Sequence, residues 1–185
     1  MAKAMTDVAG SSGCYLGGVV TYTNELKQEL LGVRRATLRD HGAVSEETAR
    51  EMTAGALARL GGGMALSVTG IAGPGGAVLG KPVGTVWFGW AWRACAQQLG
   101  EWREEGLGPV SEYARSQGQT RGENHRQGQD GAADENAQPD EVEPALRGIL
   151  TTAVCEHFEG DRDEVGRQSV ARALAGVLQL LARRG

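Results

Sequence analysis

The spacing of apolar and polar residues changes several times along the chain, and each change predicts an element. LGGVVTYT (16–23) is rich in β-branched and aromatic residues behind Gly-Ser punctuation, so it predicts a strand. NELKQELLG (24–32) switches to a helical pattern, with Asn24 as N-cap, Glu25 and Leu26 opening the first turn, Lys27 at about the third position and Gly32 as the stop. RATLRDHG (35–42) predicts a second short helical turn. SEETAREMTAGALARLGGG (45–63) predicts a longer helix. Ser45 caps it, Glu46 and Glu47 suit the positive end of its dipole, and Ala49, Met52, Ala56, Leu57 and Leu60 form one apolar stripe.

MALSVTG (64–70) predicts a short buried strand that runs into the glycine-rich turn IAGPGG (71–76). KPVGTVWFGWAW (81–92) is apolar on both faces, which predicts a central strand. TTAVCEHF (151–158) predicts another strand. A last helix is expected from about Asp163 to Arg183, with Val165, Val170, Leu174, Val177, Leu178 and Leu181 on its buried side. Strands alternating with helices predict a three-layer α/β/α fold with a central sheet.

The pattern fails in one place. GQTRGENHRQGQDGAADENAQPDEVEP (118–144) has almost no large apolar residue and is dense in Gly, Gln, Asp, Glu and Asn. Such a stretch buries too little surface to offset the entropy of ordering it. We therefore expect a single domain over 1–185, interrupted at about 103–145 by a low-complexity, disordered surface insertion.

Composition narrows the function. The 185 residues carry a net charge of −4 and a pI near 5.5, which suits one domain with a sizeable core. Weak acidity argues against a dedicated nucleic-acid binder, because phosphate affinity needs a concentrated basic face. No apolar run predicts a membrane span and no signal peptide opens the chain. Cys14, Cys95 and Cys155 are widely spaced without a CxxC, which predicts buried thiols in a reducing cytoplasm. His41, His125 and His157 lack metal-ligand spacing, so no metal site is expected.

Three stretches carry candidate chemistry. A lysine in a first helical turn opposes the dipole, at a cost of about 0.3–1 kcal/mol if exposed. The dipole would also lower its pKa, and a partly desolvated lysine so placed can be neutral and act as a general base. SVTGIAGPGG (67–76) takes a strand end into glycines whose N–H groups can converge on an anion; the alternative is a tight loop with positive φ. Thr69 holds the strand-end position that sites in open α/β sheets often use. In FEGDRDEV (158–165), Asp161 or Asp163 can cap a helix, and Arg162 can reach a carboxylate or phosphate. Trp87, Trp90, Trp92 and Trp102 suit core packing better than an aromatic wall for a base.

VAGSS (8–12), TYTNELK (21–27), LLGV (30–33), HGAVSEE (41–47), VTGIAGPGG (68–76), KPVGTV (81–86) and GDRD (160–163) occur in the order seen in the CinA C-terminal-domain family. The chain resembles that family, which includes nicotinamide mononucleotide deamidases, over residues 1–92 and roughly 151–182. The resemblance implies an amidohydrolase that converts nicotinamide mononucleotide and water to nicotinic acid mononucleotide and ammonia. It implies no cofactor, a small-molecule nucleotide as partner, and a homodimer. By matching positions, Lys27 resembles the family's general base and Tyr22 its hydroxyl partner. Thr69 and Arg162 match substrate-site positions, and Gly70, Gly73, Gly75 and Gly76 would approach the substrate.

The family's nucleophilic serine sits in an E-S-[CT]-T-G-G segment, which would precede Met1-Ala2-Lys3-Ala4-Met5-Thr6-Asp7. The resemblance thus implies an N-terminally truncated domain holding the base without the residue it serves, inactive as written. Met1 would then be an internal methionine of a longer frame, or the chain a decaying homologue. Ser11, Ser12 and Thr23 are poor substitutes by position. The alternative function is a non-catalytic nucleotide-binding or regulatory module; a weaker one is an interaction protein using the acidic insertion.

Overall fold

The computed structural model describes residues 1–94, 146 and 148–183. The expected insertion at about 103–145, Cys95 and Trp102 lie outside these residues. The elements in chain order are helix α1 (Ala2–Thr6), a 3-10 turn (Ser11–Gly13), α2 (Asn24–Leu31), α3 (Arg35–Asp40), α4 (Glu46–Leu60), strands β1 (Met64–Gly70), β2 (Thr85–Arg93) and β3 (Ile149–His157), and helix α5 (Arg162–Ala182). The three strands form one antiparallel sheet in the order β1-β2-β3, with β2 in the middle as its two-sided apolar pattern predicts.

Alternation along β2 builds the layers. Val86, Phe88, Trp90 and Trp92 pack with Leu150, Val165, Ala173 and Leu180 on the α5 side. Ala91, on the opposite face, packs with Ala54, Leu57 and Ile149 on the α4 side. The sheet therefore lies between α4 and α5, the expected α/β/α layering. A third cluster of Leu31, Val33, Leu38 and Met52 docks α2 and α3 on the outer side of α4.

The two faces of β2 differ in bulk, and the helices match them. Towards α4, β2 presents Gly89 and Ala91; a Cβ at Gly89 would lie 2.5 Å from the Ala49 carbonyl oxygen. Towards α5 it presents large rings, so α5 offers small residues. Gly176 sits against the Trp90 ring, 2.2 Å from where its Cβ would be, and Trp90 Nε1 donates to the Ala173 carbonyl at 3.1 Å. This corrects the expected stripe of α5. Val165, Ser169, Ala173, Gly176 and Leu180 are buried, while Leu178 and Leu181 are exposed. Leu60, expected on the buried stripe of α4, is also exposed.

Several local expectations hold. Ser45 Oγ accepts from Thr48 N and caps α4, and Gly32 closes α2 in the left-handed region at φ 67°. Asp161, not Asp163, caps α5 by accepting from Glu164 N at 2.9 Å. Helix α3 has no side-chain cap of its own. Glu51 of α4 serves instead, accepting from Arg34 N at 2.9 Å and from Thr37 Oγ1 at 2.7 Å.

Two expectations fail. Residues 16–22 form no strand and pair with none among the described residues, and Leu16, Val19, Val20 and Tyr22 stay exposed. Their β-branched and aromatic content needs a neighbouring strand and a covered face to become a ladder. Cys14 and Cys155 are exposed free thiols rather than buried ones.

The crossing of α2 over α4 depends on Gly55, whose Cβ would fall 1.7 Å from the Leu31 carbonyl oxygen. Gly166 of α5 has nothing within 4 Å of its Cβ position. Urea unfolding should therefore show Gly55→Ala losing about 2 kcal/mol or more through overpacking. Gly166→Ala should gain up to about 1 kcal/mol through helix propensity. Equal effects of the two substitutions would contradict the close crossing.

Candidate functional site

Lys27 is the fourth residue of α2, because Thr23 rather than Asn24 is the N-cap, its hydroxyl accepting from Leu26 N at 3.3 Å. Thr23 wins the cap position because its backbone is extended while Asn24 has already entered the helix. The docking of α2 on α4 carries Lys27 inward with Leu31, and only 6% of Lys27 is exposed. Lys27 Nζ donates to the Thr21 carbonyl at 2.8 Å and to the Tyr22 carbonyl at 3.4 Å.

Burial lowers the Lys27 pKa from the usual 10.5, and the Glu25 carboxylate opposes that shift. The sequence pattern had pointed to the helix dipole; in the folded chain the leading cause of the lowering is desolvation by burial. Two carbonyls occupy two of the amine hydrogens. A neutral amine held this way keeps its lone pair for an incoming proton.

The other candidate residues gather at the far end of β1. Thr69 is buried and its hydroxyl donates to the Ala43 carbonyl at 2.7 Å, tying the sheet to the α3–α4 connection. Gly70 ends β1 opposite Val86, and a Cβ there would lie 2.8 Å from Val86 Cγ2. Gly73 has φ 80° and packs against Val83; Gly76 has φ 92°; Gly75 is open to its surroundings. Arg162, the first residue of α5, donates from Nη1 to the Gly73 carbonyl at 2.6 Å. The structure thus joins Arg162 to the glycine-rich loop across 89 residues of chain.

It does not join everything. Tyr22 is 82% exposed and meets Lys27 through its carbonyl, not its phenol. Among the described residues, the hydrogen bonds of Lys27 go to backbone carbonyls, and none links it to Thr69, the loop or Arg162. No group of three or more His, Cys, Asp or Glu among the described residues is arranged to hold a metal ion. No helix among them is long and apolar enough to cross a membrane.

A cleft of about 410 Å³ lies beside this region, lined by Asp40, His41, Ser45, Glu47, Lys81 and Trp87 among others. His41 Nδ1 is 3.2 Å from Glu47 Oε1, and Lys81 Nζ donates to the His41 carbonyl at 2.8 Å. Trp90 and Trp92 are core residues, whereas Trp87 lines this cleft. The sequence pattern gave His41 and Lys81 no site role, and Glu47 only that of matching the α4 dipole. Their only signal for a site was membership of the HGAVSEE and KPVGTV motifs.

Comparison with known proteins fixes the class. The model of the CinA C-terminal domain matches residues 1–103, and the chain belongs to that family. It is similar to the nicotinamide-nucleotide amidohydrolase PncC of Enterobacter agglomerans, 56% identical over 91 residues, which is 49% of this chain and 56% of that protein. It is also 58% identical over 88 residues to a CinA-like protein of Mycobacterium marinum, covering 48% of this chain and 21% of that protein. The chain thus spans little more than half the length of the amidohydrolase relative. Among solved structures it resembles the competence damage-inducible protein A of Klebsiella pneumoniae, with a TM-score of 0.66 and 30% identity, covering 98% of this chain and 78% of that one.

The lowered Lys27 pKa fixes the sign of a stability effect. The folded chain releases the Lys27 proton at lower pH than the unfolded chain, whose lysine holds it to about 10.5. Between those values the unfolded state binds more protons, so this residue's contribution to stability rises with pH. Urea unfolding of wild type and Lys27→Met from about pH 7 to pH 10 should show the difference moving in favour of wild type as pH rises, by at most about 1.4 kcal/mol per pH unit. A difference independent of pH would contradict a desolvated Lys27.

Proposed function

We propose that this fold carries the base and substrate loop of a nicotinamide-nucleotide amidohydrolase, which converts nicotinamide mononucleotide and water to nicotinic acid mononucleotide and ammonia. The observation that supports it most is the burial of Lys27 with its pKa lowered. A lysine that is neutral at working pH can take the proton of an attacking oxygen and return it to the departing ammonia. The glycine-rich loop, held at Gly73 by Arg162, supports a close approach of backbone N–H groups to the nucleotide. Thr69 braces the strand end from which that loop departs. Tyr22 takes the hydroxyl role only if its ring turns in from solvent over bound substrate.

A second reading is a non-catalytic nucleotide-binding module. It is favoured by the Lys27 hydrogen bonds, both made to carbonyls rather than to a hydroxyl or thiol that could attack an amide. With Lys27 bonded to carbonyls and to no attacking hydroxyl or thiol among the described residues, this chain should release little ammonia, because an amide is a poor electrophile that needs a positioned attacking oxygen.

Ammonia release and nucleotide binding separate the readings. This chain should bind nicotinamide mononucleotide and stay near background turnover. The same chain joined behind the family's E-S-[CT]-T-G-G segment should turn over, and Lys27→Ala in that form should lower the rate by about 10²-fold or more. Gly73→Val should weaken binding, since its φ of 80° and its contact with Val83 leave no room for a side chain. Binding without turnover in the joined form would favour the module. Turnover surviving Lys27→Ala would remove Lys27 from the chemistry.

A further inference from the structure

The segment between β1 and β2 is closed at its base and exposed at its tip. Ile71 N donates to the Thr85 carbonyl at 2.9 Å and Gly84 N to the Ile71 carbonyl at 2.7 Å. Farther out, residues 78 and 81 exchange backbone hydrogen bonds of 3.1 and 2.9 Å. Beyond that pair Leu79 is wholly exposed and Val78 mostly so, so no apolar packing holds the tip down. Side-chain hydrogen bonds do that work. Arg162 grips the Gly73 carbonyl on one limb, and on the other limb Lys81 Nζ reaches the His41 carbonyl at 2.8 Å.

The receiving side is rigid. Carbonyls 41, 42 and 43 each accept a side-chain donor. Gly42 receives Ser45 Oγ at 3.0 Å and Thr48 Oγ1 at 2.8 Å, and Ala43 receives Thr69 Oγ1 at 2.7 Å. Those donors come from the α4 N-cap, α4 and β1. The His41 bond alone comes from the glycine-rich segment. Its loss would free the loop while leaving the α3–α4 connection anchored.

We propose that Lys81 is a positioning residue: it clamps the outer limb of the glycine-rich segment to the C-terminus of α3 and so pre-forms the loop that receives the nucleotide. The ammonium suits the task, since a charged donor to a carbonyl makes a short, strong hydrogen bond at a helix end of negative potential. The nucleotide part of this inference rests on the amidohydrolase reading; the clamp itself does not.

Hydrogen exchange on the full chain tests the clamp. In Lys81→Met the amides of residues 78 and 81 should exchange about tenfold faster or more, while those of α4 keep their wild-type rates. Lys81→Arg, which keeps a charged donor, should restore the slow exchange. A calorimetric titration should show nicotinamide mononucleotide binding weakened about tenfold in Lys81→Met and nearly restored in Lys81→Arg. Unchanged exchange at residues 78 and 81 in Lys81→Met would overturn the proposal, as would equal nucleotide affinity in Lys81→Met and wild type. Faster exchange in Lys81→Met, together with a wild type that binds no nucleotide, would support the clamp and count against the amidohydrolase reading alone.

Discussion

Everything in this fold is arranged around covering both faces of β2. The strand carries Phe88, Trp90 and Trp92 on one side and Gly89 and Ala91 on the other, and its partners differ accordingly. Helix α4 comes close enough for Ser67 Oγ to donate to the Ala49 carbonyl at 2.7 Å within the core. Helix α5 must instead fit around rings, which it does with Ala173 and Gly176. Phe88 and Trp90 stack at 6.0 Å between ring centroids, and Arg172 lies over both rings while pairing with Glu156 at 2.8 Å. A large aromatic residue on the α4 side, or a large residue at position 176, would break this match of surfaces.

The candidate chemistry follows from the same packing. Because α4 is fixed by β2, and α2 by α4 through Gly55, Lys27 is carried below the surface and loses hydration. Because β1 is fixed beside β2, Thr69 reaches the α3–α4 connection and the glycine-rich segment begins at a defined point. Arg162 enters from the start of α5, whose position is set by the rings of β2. Lys27 and the glycine-rich loop thus belong to separate parts of one frame, with no direct hydrogen bond between them among the described residues.

Strong local signals were readable from the sequence. Ser45, Glu46 and Glu47 announced α4, and the unbroken apolar run of β2 announced a central strand; both depend on side chains acting within a few residues. The orientation of α5 was not readable. Counting large apolar residues selected Leu178 and Leu181, but the sheet presents rings, so the face with Ala173 and Gly176 turned inward. Residues 16–22 misled for a related reason: strand propensity is realised only with a partner strand. The N-cap was missed by one residue, since Thr23 and Asn24 both cap well and only backbone geometry separates them. Lys27, Thr69 and Arg162 stood out in the sequence as candidates, but their contacts were not legible, because each bonds a carbonyl that no sequence pattern marks. Lys81 stayed hidden because its partner lies 40 residues away on a loop.

A basic role for Lys27 requires that burial lower its pKa. That lowering is tested most directly by an NMR titration of the full chain with the lysine side chains labelled at Nζ and Cε, using Lys27→Met to assign the resonance. Desolvation by burial predicts a Lys27 pKa below 10.5. A Lys27 that titrates at or above 10.5 would contradict it.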